Sequence, residues 1–409
     1  MAIYVARRRT GSGVTDFGES SAAERGVLLA ASSLTVMAGA VLAPALPPLA
    51  DAFRDIVHID LLSRLVLTIP ALAIAIAAPF AGMLLDRFGR RNVLLASLVF
   101  YAAAGTTGLY LEDVYLILVG RFLLGIAVAG SMTAATTIIG DRFVGARRVR
   151  FLGLQAASMA AGGVVFVLGG GLLADVHWRA PFAVYGVAVF VALVGFWSVK
   201  ESDPRSETAE TSEAAVPWGL VSILSLLGIA GMVLMYLIPT QLPFHLEQTM
   251  SASGTQVGLA IATMTGTSVI RSLASSRVID RLGRRGTLAT TFGFPAVGFL
   301  LLPMFQSFGG VMLAACLIGA GLGMLLPSIS TWVTEIAPPS LRGRLIGVVT
   351  MCFFVGQFVS PLVAALVRGE APGLASVFFF AAGLSAVLTC VVGGWAVGFR
   401  LGPKPVFRS

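Results

Sequence analysis

Apolar runs long enough to cross a bilayer recur along the chain, each broken by a short polar stretch. A spanning helix needs about 20 mainly apolar residues. Twelve such runs are predicted, at 26–50, 61–84, 93–110, 114–140, 150–174, 181–198, 218–240, 255–275, 286–304, 309–334, 343–367 and 373–398. Between the sixth and the seventh the pattern changes. The stretch VKESDPRSETAETSEAAVP is polar, acidic and ends in Pro, which reads as a flexible linker. The chain thus divides into an arm (1–25), a first six-helix bundle (26–198), a linker (199–217), a second bundle (218–398) and a tail (399–409). The expected fold is an all-α membrane protein, with twelve transmembrane helices in two pseudo-symmetric six-helix bundles.

Composition sharpens this picture. Of 409 residues, 57% are hydrophobic and 12% charged, against roughly 25% charged in soluble domains. Mean hydropathy is +0.91. The formal net charge of +8 does not point to nucleic acid, because the basic residues fall in short clusters between apolar runs and form no basic face on a soluble domain. Cys316, Cys352 and Cys390 all lie in apolar runs without metal-type spacing, so they read as packing residues. The first 25 residues lack an apolar stretch leading to a small-residue cleavage site, and so do not read as a secretory signal.

The clusters also set an orientation. With both termini in the cytoplasm, 22 of the 28 Lys and Arg residues fall on the inner side, as the positive-inside rule expects. Arg121 and Arg271 lie within spans.

The sequence repeats at an offset of 194. DRFGRR at 86–91 aligns with DRLGRR at 280–285. Asp141 and Arg148 align with Glu335 and Arg342, and Gly162 with Gly356. One offset relating separate sites implies two halves in the same orientation, an arrangement transporters use with the site between them.

The motifs then carry a resemblance. GMLLDRFGRR, with Gly82, Asp86, Arg87, Gly89, Arg90 and Arg91, resembles the G-x-x-x-D-R-x-G-R-R loop of the major facilitator superfamily. RVIDRLGRR, with Asp280, Arg281, Gly283 and Arg284, repeats its core, with Ser276 in place of the first Gly. VGRFLLGIAVAG is similar to that family's span-four motif, its membrane Arg being Arg121, and HWRAPF resembles a stretch common in the twelve-helix drug:proton antiporter branch. One element departs: where that branch has G-x-x-x-G-P-x-x-G-G in span five, this chain has AGGVVFVLGG. The resemblance covers 26–398 and implies alternating access, no bound cofactor, a proton gradient as energy source, and a location in the inner (plasma) membrane.

Several residues could carry function. Asp86 and Asp280 beside their arginines, Asp141 with Arg148, and Glu335 with Arg342 form a candidate cytoplasmic gate. A carboxylate there can accept charge-assisted bonds from Arg and break them when the side opens. The alternative is a plain positive-inside anchor or a local loop pair of little value. Arg121 falls roughly 10 Å into span four. It is read as a coupling or substrate-anion contact, or else as snorkelling outward. Arg271 leaves the same choice open. Met232, Met235 and Tyr236 share a helical face as a candidate pocket wall or as packing. Gly162, Gly163, Gly169, Gly170, Gly171 and Gly356 permit close helix approach, and Pro361 can kink span eleven.

No Asp or Glu lies mid-span, so the proton carrier is open among Asp86, Asp141, Glu335, Glu247 and His245. Arginines without acids favour neutral or anionic cargo. No nucleophile-elbow, P-loop or HExxH pattern suggests an enzyme. The expected activity is proton-coupled export of a small amphipathic compound. The alternatives are import of an organic anion, or a transporter-like sensor. The expected partners are a small-molecule substrate and the lipid bilayer, with no nucleic acid and a monomeric chain.

Overall fold

The computed structural model describes residues 20–201, 216–338, 341–369 and 373–398. Most of the expected arm, the expected tail and 202–215 of the linker lie outside these. Within a bilayer each backbone amide must be satisfied inside its own segment, so long apolar runs become helices. They are α1 (Ala22–Ala52), α2 (Ile59–Phe88), α3 (Arg90–Leu109), α4 (Val114–Arg142), α5 (Ala146–Val176) and α6 (Ala180–Ser198). After the linker come α7 (Trp218–Met250), α8 (Gly254–Leu273), α9 (Ser275–Met304), α10 (Phe308–Ile336), α11 (Arg342–Arg368) and α12 (Ala375–Gly398).

All but α8 are long and apolar enough to cross a membrane. Helix α8 falls short because it is rich in Thr and Ser. Those hydroxyls are satisfied locally: Thr263, Thr265, Thr267 and Ser268 each donate to the carbonyl four residues back. That offsets the cost of placing them among helices.

Helix starts correct the expected boundaries. Helix α1 begins at Ala22, because the Ser21 hydroxyl accepts from the Glu24 amide at 3.0 Å. The last four residues of the expected arm therefore belong to α1. The two repeated loop motifs are almost wholly helical. Gly89 (φ +82°) is the one-residue hinge between α2 and α3, and Gly283 (φ +68°) is its counterpart inside α9. At these two positions the left-handed backbone requires Gly.

Packing follows the repeat. In the first half α2 packs on α4, α3 on α4 and α6, and α1 on α5. In the second half, shifting each helix by six, α8 packs on α10, α9 on α10 and α12, and α7 on α11. The halves meet along two seams, α2 with α11 and α5 with α8. Large apolar side chains such as Phe190, Leu226 and Leu366 face outward, as a lipid-covered surface demands.

Candidate functional site

A cavity of about 300 Å³ lies between the halves, about midway along the helices that line it. Helices α1, α2, α4 and α5 line it from one side, and α7, α8, α10 and α11 from the other. Met232, Met235 and Tyr236 stand in its wall, joined by Met132, Met159 and Met264. The sequence had left these three residues open between pocket and packing. They face the pocket, and the three added methionines come from α4, α5 and α8. Thioethers are soft and adaptable, so they suit ligands of variable shape. No residue lining the cavity is charged. Its polar points are few. The Tyr236 side chain reaches across to Gly39 of the other half, where a Cβ would sit 3.1 Å from its hydroxyl. Gln357 also faces the cavity, with its amide nitrogen 4.0 Å from the Met232 sulfur.

Arg121 and Arg271 are not in this lining. Arg121 is fully buried behind it. Its Nε donates to the Val66 carbonyl at 2.9 Å and its Nη2 to the Ala38 carbonyl, with the Tyr185 ring 5.0 Å away. It neither snorkels nor presents its charge to the cavity; it ties α1, α2 and α4 together. Arg271 bonds Thr290 at 3.3 Å and lies 5.4 Å from the Phe294 ring, within its own half.

At the arginine-rich end the repeat appears as paired contacts. Arg90 meets Asp141 at 2.5 Å, and 194 residues on, Arg284 meets Glu335. The partners expected from sequence, Arg148 and Arg342, are not the ones these acids engage here. Arg148 lies against Gly140, and Arg342 is exposed at the start of α11. The loop motif folds back on the end of α4 because the Gly89 hinge points Arg90 at it. Glu201, just past α6, accepts from the amides of Arg90 and Arg91 at 2.8 and 3.4 Å. A carboxylate at a helix N-terminus is well placed. Arg91 donates to the Val199 and Phe196 carbonyls. Arg142 meets the buried Glu24 at 3.3 Å. Glu24 was hidden from sequence reading by its assignment to the arm; the pattern Ser21-x-x-Glu24 was the signal.

Asp86 and Asp280 are exposed, and among the described residues neither has a hydrogen bond or ion pair. Arg87 and Arg281 are also exposed, and Gly82 faces open space. Burial separates the two repeated pairs. The Arg90 and Asp141 side chains are 11% and 13% exposed, those of Arg284 and Glu335 47% and 41%. Double-mutant cycles on thermal unfolding should return about 1–3 kcal/mol for the first pair and at most about 1 for the second. Equal couplings would show that burial does not decide their strength.

The opposite end is bonded across the halves. Asp60 of α2 meets Arg368 of α11 at 3.1 Å, and Arg64 of α2 donates to Gln241 of α7 at 3.0 Å. Asp175 at the end of α5 accepts from the Gly254 and Thr255 amides that begin α8, at 2.5 and 3.0 Å. These partners are separated by 79 to 308 residues, and no local pattern could have paired them. Glycine positions trace the same asymmetry along the α5–α8 seam. A Cβ on Gly171 would lie 2.5 Å from the Gly254 carbonyl, and one on Gly258 would lie 3.0 Å from that of Val167. Gly153 and Gly266, nearer the arginine-rich end, meet nothing within 4 Å. The seam is closed at one end and widens toward the other. Gly163 lines the cavity, Gly162 packs on Ser33, Gly356 on the Ile229 carbonyl, and Gly169 faces open space. Pro361 lies within the continuous α11.

Comparison with known proteins places this arrangement in a family. The sequence profile of the Major Facilitator Superfamily matches residues 28–249 and again 223–407. The chain is 26% identical over 389 residues to a tetracycline resistance protein, class C, of Escherichia coli, covering 89% of this chain and 94% of the relative. It is 27% identical over 342 residues to a bacillibactin exporter of Bacillus subtilis (strain 168), covering 75% and 81%. A solved D-xylose–proton symporter superposes with a TM-score of 0.72 at 16% identity, covering 93% of this chain and 98% of that one; that likeness concerns the fold. With one family profile matching both repeated halves, the chain belongs to the Major Facilitator Superfamily, as a multi-pass secondary transporter of the membrane and not an enzyme.

Proposed function

We propose that the protein exports a small, uncharged amphipathic compound in exchange for protons, by alternating access. The arginine-rich end faces the cytoplasm in this reading, so the structure corresponds to a state sealed outside and widening inward. The observation that carries the reading is the cavity: central, shared by both halves, lined by methionines and aromatics, and without a charge. Apolar pockets of about 300–1,000 Å³ with a few polar points are the usual form of small-molecule sites. The relatives named for tetracycline resistance and for bacillibactin export support the outward direction.

An imported organic anion finds no counter-charge in that wall, because Arg121 and Arg271 stand outside it. The coupling proton is assigned to the charged cytoplasmic ends. Protonating Asp141 or Glu335 would release Arg90 or Arg284 toward new partners. Asp86 and Asp280, unpaired among the described residues, would accept such arginines when that end closes.

Flux measurements test this directly. Inside-out vesicles energised with an acid interior should accumulate a fluorescent neutral amphipath, and collapsing the gradient should release it. Accumulation in right-side-out vesicles instead, or binding without flux, would overturn export. Tyr236→Phe removes one hydrogen-bonding group worth about 1 kcal/mol. It should raise the half-saturating concentration roughly five-fold for substrates with an acceptor there, and leave purely apolar ones unchanged.

A further inference from the structure

A second cavity, of about 540 Å³, opens at the sealed outer end, and its walls come from both halves. Asp60 and Arg64 of α2 face Gln241 of α7 and Ala365 and Arg368 of α11 across it. Among the described residues its charges do not balance. Arg64 is 4% exposed, and Asp60 is its only ion-pair partner among the described residues, at 3.8 Å. The same carboxylate, itself 60% exposed, is shared with Arg368 at 3.1 Å. Two guanidinium groups therefore draw on one half-solvated acid. A buried guanidinium is costly without a full complement of acceptors. Arg64 is compensated by the Asp60 carbonyl, by the Gln241 side-chain oxygen and by the Phe244 ring, 4.0 Å away. None of these three carries a negative charge.

We propose that this outer cavity binds a small oxyanion, a carboxylate or phosphate from the external side, and that occupancy holds the outer end closed. Guanidinium groups recognise such oxygens with charge-assisted bonds. Because Arg64 and Arg368 belong to different halves, the site exists only while the halves are together here. A ligand that binds only the sealed state multiplies the ratio of sealed to open by 1 + [L]/Kd, about eleven-fold at ten times Kd. The site is thus a brake on transport, distinct from the central cavity, and it rests on the alternating-access reading above.

The experiment uses the full-length chain with Cys316, Cys352 and Cys390 replaced by Ser, carrying Ala71→Cys as a reporter in the central cavity wall. Right-side-out membrane vesicles are labelled with an impermeant maleimide. Inorganic phosphate and succinate are added in turn, with sodium chloride matching ionic strength. Labelling should fall saturably, about ten-fold at high occupancy, with whichever anion fits. Arg368→Gln should raise the required concentration at least ten-fold, and Ala365→Leu, which fills the cavity, should abolish the response. Indifference to both anions, or an unchanged response in both variants, would overturn the site. Absence of labelling even without anion would instead sink alternating access. The site would then be read by thermal unfolding, which the anion should raise in the parent and not in Ala365→Leu.

Discussion

An Arg121→Met variant should fold at least as stably as the parent and transport at least ten times more slowly. Two effects oppose each other in its stability. Arg121 donates to two carbonyls on neighbouring helices, and losing such charge-assisted bonds costs about 1.5–3 kcal/mol each. The buried guanidinium also carries a desolvation penalty. Among the described residues no carboxylate pairs with it, and its Nη1 has no partner. Replacing buried charge by an apolar side chain of similar volume is commonly neutral or stabilising by about 1–4 kcal/mol. That second figure is already net of the bonds given up, so thermal unfolding should not suffer. Transport should, because the tie holds Ala38, in the cavity wall, to α2 and α4. Arg121→Lys keeps the charge but replaces the rigid guanidinium fork by a single nitrogen on a flexible stem, so its transport should resemble that of Met and not the parent. Normal flux in the Met variant would remove Arg121 from the mechanism.

Three consecutive glycines of α5 should respond to substitution in three different ways. A Cβ on Gly170 would lie 2.1 Å from the Val41 carbonyl, inside the first half. Gly170→Val should therefore destabilise the fold by at least the about 1–3 kcal/mol of an overpacked core, seen as lost expression and a lower unfolding temperature. A Cβ on Gly171 would instead strike the Gly254 carbonyl of the other half at 2.5 Å. Gly171→Val should leave each half intact and force the outer seam apart, raising labelling of the central cavity from outside. Gly169 meets nothing within 4 Å, so Gly169→Ala should be silent or slightly stabilising, by up to about 1 kcal/mol from the better helix propensity. Similar unfolding temperatures for the Gly170 and Gly171 variants would contradict the assignment of these glycines to different interfaces.

Much of this architecture was legible in the chain. The apolar period located the helices to within a few residues, except at the end of α7, which runs ten residues further to Met250, and at the start of α9. There the repeated motif proved helical up to and beyond its Gly283 hinge. The 194-residue offset foretold more than fold. It relates Gly89 to Gly283 and the pair Arg90–Asp141 to Arg284–Glu335. What it could not choose was the partner. Arg148 lies seven residues from Asp141 and was the natural candidate; Arg90, 51 positions away, is brought to it by the packing of α3 on α4.

Sequence by itself determined the bilayer as solvent, the helices, the two repeated halves and the family. Each follows from local composition or from self-similarity, and neither needs a contact. Only the tertiary structure decided which residues share a space. It put Arg121 behind the cavity wall, gathered methionines from four helices into that wall, and bonded Asp60 to Arg368 and Asp175 to the start of α8. The reason is physical. Spanning is set residue by residue through transfer from water to lipid. A cavity or a seam depends on side-chain directions from helices hundreds of residues apart, and those are fixed only when the helices pack.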